Sequence, residues 1–599
     1  MDKVQEIFTG AKEALLNFWD TVVSLATSPE GAGLAYTAVA RWIFIALALF
    51  IVVKSIASLL KSKNPSEVWA YFNIDDEKSY PITHWENAIG RAKNCDLIVD
   101  DPMASRNQGT LTRGDDGVWK FKDLGSKNGT YINGKKVEEN GTVVVEPGDE
   151  IIIGSSKCTL FPISLEEQRN NMEMRLSDTI LLSPWPSLIA ITVFQLMTIV
   201  QLKISLAEEY SSSIAVSFFG LMIVMWAYVI FTRGLKGKGY EMETIAFFLC
   251  TLSLSVTASK YPTGTFKQFI AIAMGVALFV CMCTYLRNLE RAKAIRMYMY
   301  GAAALLLVFN LIFGQTLFGA SNWVKIGGIS FQPSELVKLA FIWAGAASLD
   351  ELLERRNSII FMLFSGFCFC CLALMGDFGT AIIFFVTFLI ISFLRSGDVT
   401  KLVLIVGVAF VGGLMVLKFK SYVANRFATW GHVWEMPDNG GFQQTRTMSA
   451  AASGGLVGVG AGGGWLKHIP ASETDLVFGF LTEEWGLIIA VLAILSLITL
   501  SIFAVRSILA GRSTYYTIAS CSAMSMFLFQ TMLNVFGSVD IFPLTGVTLP
   551  FVSSGGTSMI SAWGLLAFLK AADTRANASF AVSQKDKAIP VKRKRRRAA

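Results

Sequence analysis

Charge is what this chain of 599 residues has least of: Asp, Glu, Lys and Arg make up 16% of it, against 53% hydrophobic residues. That shortage excludes a soluble globular protein, and the mean hydropathy of +0.51 agrees. The nine cysteines have neither paired nor metal-ligand spacing. Most lie in apolar runs, as Cys368, Cys370 and Cys371 do, so no disulfide framework and no zinc site is indicated. A removable leader is not expected either. The first apolar run begins late and lacks a positive lead-in and a small-residue cleavage site, so it reads as a span. The net charge of +7 is explained by cytoplasmic retention and anionic lipid, the Lys592-Arg-Lys-Arg-Arg-Arg597 run included, and no nucleic-acid partner is expected.

Present in abundance are apolar runs long enough to cross a bilayer, for example 41–60, 187–202, 215–232 and 486–505. About thirteen can be counted, which makes the chain a polytopic α-helical membrane protein. Cations at Lys61 and Lys63, 233–238, 287–296, Arg355 and Arg356, 395–401, 506–512 and the tail fall on alternate loops. Short loops rich in Lys and Arg stay inside, so the N-terminus is expected outside and the C-terminus in the cytoplasm. The long polar segment 421–474 then lies outside.

Between 64 and about 175 the grammar changes to polar–apolar alternation, as in Trp119-Lys-Phe121, Thr142-Val-Val-Val-Glu146 and Glu150-Ile-Ile-Ile153. Asn128-Gly129, Asn133-Gly134, Asn140-Gly141 and Pro147-Gly148-Asp149 supply turns. This is a small all-β module inserted on the inner face. The expected division is an N-terminal segment with the first span (1–63), the β module and linker (64–175), two further spans (176–240), a membrane core (241–572) and a basic cytoplasmic tail (573–599).

Ionisable residues inside or beside a bilayer are costly, so the exceptions are informative. In Asn322-Trp-Val-Lys-Ile-Gly-Gly-Ile-Ser-Phe-Gln-Pro-Ser-Glu-Leu-Val-Lys338, Pro333 suits a first helical turn, with Ser334 and Glu335 placed to serve its free amides. Glu335 and Lys338 share a face and read either as an intrahelical ion pair or as a pair positioning a phosphate. Gly376-Asp-Phe-Gly-Thr380 puts Asp377 at the membrane surface, where a turn is the plain reading. Glycines at 453–464 permit either close approach to a ligand or a tight loop. Asp475, in Ala471-Ser-Glu-Thr-Asp-Leu-Val-Phe478, stands where polar chain re-enters an apolar helix. Its position suits a general base and its spacing suits a helix N-cap; Glu483 and Glu484 lie about two turns deeper.

Two resemblances draw these residues together. Gly90-Arg91, Ser105-Arg-Asn-Gln108, Asp123-Leu-Gly-Ser-Lys-Asn-Gly-Thr-Tyr-Ile-Asn-Gly134 and Pro147-Gly-Asp-Glu-Ile-Ile-Ile-Gly154 resemble a forkhead-associated (FHA) domain over about 69–162. The resemblance implies a β-sandwich binding a phosphothreonine protein. Arg91 and Ser105 would contact the phosphate, while Arg106, Lys127 and Asn128 would hold phosphate or peptide backbone. Gln108 replaces the family's usual His, which supports the binding loop.

Trp323 with Phe331-Gln-Pro-Ser-Glu-Leu336 and Lys338, Asp377-Phe-Gly-Thr-Ala381, Ser453-Gly-Gly455, Thr474-Asp-Leu-Val-Phe478 with Glu483-Glu-Trp-Gly486, and Leu549-Pro-Phe-Val-Ser-Ser-Gly-Gly556 resemble the SEDS family, the RodA/FtsW/SpoVE group of cell-shape, division and sporulation proteins. That resemblance covers 241–572 and implies a core of about ten spans, so the first span and the two before Glu241 are additions. It also implies a peptidoglycan glycosyltransferase of the bacterial cytoplasmic membrane that polymerises lipid II at the outer face. Asp475 would be the general base deprotonating the acceptor 4-hydroxyl as undecaprenyl pyrophosphate leaves. Lys338, Arg446, Lys467 or a bound divalent cation (Mg or Mn) would meet the pyrophosphate; no organic cofactor is implied. Glu335 would order the cavity, beside Asp377, and the outer loop would run from about 418 to 475. The implied partner is a class B penicillin-binding protein transpeptidase. Asn322, Gly376, Arg446 and Ser554 depart from the family's common residues and bear on the loop's substrate contacts. A lipid II flippase and a catalytically idle phosphoprotein scaffold are the alternatives.

Overall fold

A computed structural model describes residues 31–573 apart from 62–67, 76–77, 94, 115–116, 140, 165, 168–182, 236, 318–319, 328, 350–354, 397–398 and 510–512. The basic tail and part of the 64–175 linker therefore lie outside the described residues. Ten described helices are long and apolar enough to cross a membrane. Three further helices, Pro333–Leu349, Phe378–Ser396 and Gly556–Ala571, fall short of that length or hydropathy but pack in the same bundle.

In chain order the helices are α1 (Gly31–Lys61), α2 (Trp185–Leu206), α3 (Ser212–Gly234), α4 (Glu241–Lys260), α5 (Thr265–Tyr285), α6 (Arg296–Phe313), α7 (Pro333–Leu349), α8 (Arg355–Met375), α9 (Phe378–Ser396) and α10 (Val399–Phe419). Two shorter helices, α11 (Ser421–Thr429) and α12 (Phe442–Gly454), lie in the polar segment 421–474, α13 (Val477–Leu509), α14 (Thr514–Ser538) and α15 (Gly556–Ala571) follow, and a six-residue helix, Leu289–Ala294, joins α5 to α6. The three added helices pack on the core rather than beside it: α1 against α4 and α13, α2 against α4, and α3 against α5.

Hydropathy alone does not say which helix is central. The most apolar window of α4 is wholly buried and that of α10 not at all, although both qualify as spans. The difference lies in side-chain type. Along α4, Thr251, Ser253, Ser255, Thr257 and Ser259 present small surfaces to which neighbouring backbones can approach, and the hydroxyls of Thr251, Ser253, Thr257 and Ser259 bond carbonyls one turn back or groups on adjacent helices. The Val, Leu and Phe residues of α10 instead leave it standing off from the bundle.

Between Ala70 and Pro162 eleven strands form a β-sandwich of one six-stranded and one five-stranded sheet. Alternation puts Phe72, Ile89, Leu111, Phe121, Ile151, Ile153 and Leu160 into one apolar core.

The segment 421–474 is not an open loop. It contains α11, α12 and a short 3₁₀ turn at Leu466–His468, and α12 packs on α13. Helix α13 is broken at Gly486, whose φ of 85° and ψ of 160° end the first half-helix. A break inside a bilayer strands backbone groups that lipid cannot satisfy. Here the glycine-rich chain re-enters to meet them. The amides of Val459 and Gly460 donate to the carbonyls of Glu483 and Glu484 at 3.0 and 2.9 Å, and those of Leu487 and Ile488 donate to Gly455 and Leu456 at 3.0 and 3.3 Å. A Cβ on Gly458 would lie 2.3 Å from the Glu484 carbonyl oxygen, and one on Gly486 2.3 Å from that of Leu456, so backbone contact at this depth demands glycine on both sides.

Candidate active site

Asp377 and Asp475, with Asn322 and Gln332, line one cavity of about 1520 Å³. One end is polar, lined by Asn322, Trp323, Lys325, Gln332, Asp377, Arg426, Glu473, Thr474, Asp475, Gly546, Ser554 and Thr557. Its other end is apolar, walled by Met362 and Phe369 of α8, Phe385 and Phe388 of α9, and Leu404 and Val408 of α10. The stand-off of α10 leaves this apolar end between helices.

Asp475 is half-buried on the cavity wall. The amide of Phe480 donates to the Leu476 carbonyl, so α13 is entered at Leu476 and Asp475 lies before its cap. The N-cap reading therefore does not describe it; the Thr474-Asp475 turn is instead held from outside the helix. Asn534 Nδ2 donates to the carbonyls of Asp475 (3.0 Å) and Val547 (2.8 Å), Ser553 Oγ to the Thr474 carbonyl (2.7 Å), and the Ser554 amide to that of Glu473 (2.9 Å). These bonds tie Thr-Asp to the Pro-Phe-Val-Ser-Ser segment about 80 residues on. Gly546 (φ +72°) is the close neighbour of the carboxyl: a Cβ there would sit 3.3 Å from Asp475 Oδ2. Packing around the carboxyl pushes it from 3.8 up to about 6. The Thr474 hydroxyl and the Arg426 charge oppose that rise, and Glu473 and Asp377 add to it.

Asp377 lines the same cavity. Its Oδ2 accepts from Asn322 Nδ2 (3.1 Å) and Gln332 Nε2 (3.2 Å), and its Oδ1 accepts from the Thr380 amide (3.2 Å) at the start of α9. The turn expected at 376–380 is thus also a cap, and it joins two motifs about 50 residues apart. Lys260 Nζ steadies the approach to Asp475 by bonding the Ile469 carbonyl (2.8 Å) and the carbonyl of Lys467 and lying 3.8 Å from Glu473.

Three cations expected at a pyrophosphate are elsewhere. Lys338 is 1% exposed and pairs at 2.7 Å with Glu335, and neither lines the cavity. Breaking such a buried pair would leave one partner without the other in the bundle interior, which makes this a fixed internal pair. The Ser334 hydroxyl beside it is buried with no partner among the described residues rather than serving the helix amides. Arg446 is held by Asp438 (3.0 Å), the Pro437 carbonyl and the Phe442 ring, and Lys467 by the Gly462 carbonyl. The cations on the cavity wall are Arg426 on α11 and Lys325. Arg426 carried no signal in the sequence, because α11 lies about 50 residues before Asp475 and only the folded 421–474 segment brings it near. Glu483 and Glu484 are structural. Glu483 accepts from the amides of Trp465 (2.8 Å) and Leu466 (3.0 Å), and Glu484 from Ser259 Oγ (2.8 Å).

On the β-sandwich, exposed Arg91, Arg106, Lys127 and Asn128 surround half-buried Ser105. Ser105 Oγ accepts from the Lys127 amide (2.9 Å), and Asn128 Nδ2 donates to the Met103 carbonyl (2.7 Å). Gln108, 1% exposed, accepts from the Ser105 amide (2.8 Å) and donates to the Gly129 carbonyl (3.1 Å) and Thr130 Oγ1 (3.0 Å). It braces the loop across the sandwich end, so replacement of the usual His leaves the cation cluster supported.

A multi-pass bundle with an amphiphilic cavity, carrying a β-sandwich between its first two spans, defines the class of protein. Residues 240–578, more than half of the chain, match the FtsW/RodA/SpoVE model of cell cycle proteins, and the chain belongs to that family. The FHA domain model matches residues 87–154. The probable peptidoglycan glycosyltransferase FtsW of Wigglesworthia glossinidia brevipalpis is 28% identical over 60% of this chain and 91% of its own length. Stage V sporulation protein E of Bacillus subtilis is 30% identical over 44% of this chain and 75% of its own length. One chain of a solved peptidoglycan synthase complex aligns with 24% identity and a TM-score of 0.47 over 55% of this chain and 96% of that one.

Proposed function

We propose that this protein is a peptidoglycan glycosyltransferase that polymerises lipid II, with an FHA domain that couples it to phosphothreonine proteins. The observation that carries the reading is the amphiphilic cavity. A carboxylate whose proton affinity is tuned toward neutrality faces a polar chamber, and the chamber continues into an interhelical apolar groove. A lipid-linked sugar has the same polarity profile. Its polyprenyl chain would lie between α8, α9 and α10, and its sugars and pyrophosphate would meet Asn322, Trp323, Arg426 and Asp475.

Asp475 takes the proton from the acceptor 4-hydroxyl as that oxygen attacks the anomeric carbon of the donor, and the bond to undecaprenyl pyrophosphate breaks. A base with a pKa near the working pH is efficient in this role. Arg426, and Lys325 at the rim, offset charge on the departing pyrophosphate. Asp377 keeps Asn322 and Gln332 in place. The described residues hold no group of three His, Cys, Asp or Glu, so they do not form a protein-only metal cage. A divalent ion fits here only if shared between one cavity carboxylate and substrate phosphates, where it would neutralise pyrophosphate charge.

The cation pattern of the loops supports an outside N-terminus with the FHA domain and C-terminus in the cytoplasm, which puts the cavity mouth outside. A class B penicillin-binding protein is the proposed transpeptidase partner. The experiment is polymerisation of labelled lipid II by the full chain with that partner, comparing wild type with Asp475→Asn. Long glycans from wild type alone support the reading. Equal products from both remove Asp475 as the base, and none from either favours lipid II flipping or scaffolding.

A further inference from the structure

The half-helix 477–485 that follows Asp475 is severed from the rest of α13 at Gly486, so its position is set by what grips the re-entrant chain. Part of that grip comes from helices outside the matched family core. Arg41, ten residues into α1, donates from Nη1 to the Gly458 carbonyl at 3.3 Å. A cation within a span is expensive and is retained where it has a task. Gln201 of α2 bonds Thr37 of α1 (3.0 Å), and a Cβ on Gly460 would come within 2.9 Å of either side chain. Phe44 of α1 and Phe194 of α2 pack on Trp485 with ring centres 4.9 and 5.1 Å away. Between these groups is a pocket of about 10 Å³, lined by Arg41, Gln201, Glu484 and Trp485. Arg41 Nε and Glu484 Oε1 are buried with no protein partner among the described residues. The pocket is of the size that holds one water, and a water there would bridge the two side chains.

We infer that α1 and α2 clamp the re-entrant chain, and that Arg41 is a positioning residue for Asp475, acting through Gly458 and the Glu484 side chain. The catalytic arm of this inference rests on the polymerase reading; the mechanical arm does not. The test uses the full-length protein in nanodiscs, with backbone hydrogen exchange over 455–475 and lipid II polymerisation measured for wild type, Arg41→Gln and Arg41→Lys. Arg41→Gln is expected to speed exchange at 459, 460 and 463 by about tenfold or more and to slow polymerisation by about tenfold. Arg41→Lys, which keeps a cation in reach of Gly458, restores part of both. Unchanged exchange in Arg41→Gln overturns the clamp, and slowed polymerisation without faster exchange overturns the positioning role. Should Arg41→Gln not fold, Gln201→Ala removes the α2 side of the clamp and is read in the same way. Faster exchange in a protein whose wild type polymerises nothing retains the clamp and faults the polymerase reading.

Discussion

The carboxyl of Asp475 makes a quantitative demand on the pH dependence of polymerisation. With its pKa raised to about 6, about nine-tenths of the protein holds the basic form at pH 7 and about one-tenth at pH 5. Initial rates of lipid II polymerisation should therefore fall roughly tenfold between those values. A carboxyl at the ordinary value of 3.8 would lose less than about a tenth of its activity over the same interval. Asp475→Asn should lower the rate by about 10² to 10⁴ and abolish the residual acid limb. The same shift has a sign in stability. The folded state binds the proton more tightly than the unfolded chain, so this group stabilises the fold below about pH 4 and loses that contribution as pH rises through about 6. At neutral pH the ionised carboxyl costs at most about 3 kcal/mol, less where the open cavity wets it. Asp475→Asn should accordingly raise the thermal midpoint at pH 7.5 while removing activity. A flat rate profile between pH 5 and 7, or an Asn variant that is both inactive and less stable, would refute the assignment.

Arg426→Ala should cut kcat/KM about tenfold to a hundredfold, through loss of a charge-assisted contact to the pyrophosphate, with little change in thermal midpoint. Lys338→Met leaves the Glu335 carboxylate without its amine in the bundle interior and should destabilise by about 3 to 5 kcal/mol. Pairing it with Glu335→Gln should recover much of that loss in detergent melting curves. On the FHA domain, Arg91→Ala should weaken binding of a phosphothreonine peptide by at least about tenfold in calorimetry. Gln108→Ala, which orphans the Ser105 amide, should cost about 1 to 3 kcal/mol of domain stability and weaken binding through the loop.

Much of the architecture was legible because each of its signals is local. Apolar runs set the number of spans, since a bilayer demands length and hydropathy from each helix independently. Alternation and Asn-Gly turns disclosed the sandwich, and the place of Asp475 at the end of a polar segment disclosed a surface carboxylate. Position along the chain could not say which cations face that carboxylate. Lys338 and Arg446 carried the right charge in the right motifs, yet one is sealed against Glu335 and the other is turned to Asp438. Arg426 stands on the cavity wall because α11 folds back over it.

The sequence by itself determined the membrane class, the inserted β domain, the cluster of motifs and the candidate base, because composition, period and order are enough for those. Only the tertiary structure decided that the glycine-rich segment re-enters to satisfy a broken helix, that α1 and α2 hold it there, and that Asp377 and Asp475 share one chamber. Those relations depend on backbone groups and side chains tens to hundreds of residues apart, whose pairing is set by the need to satisfy every buried polar group at once.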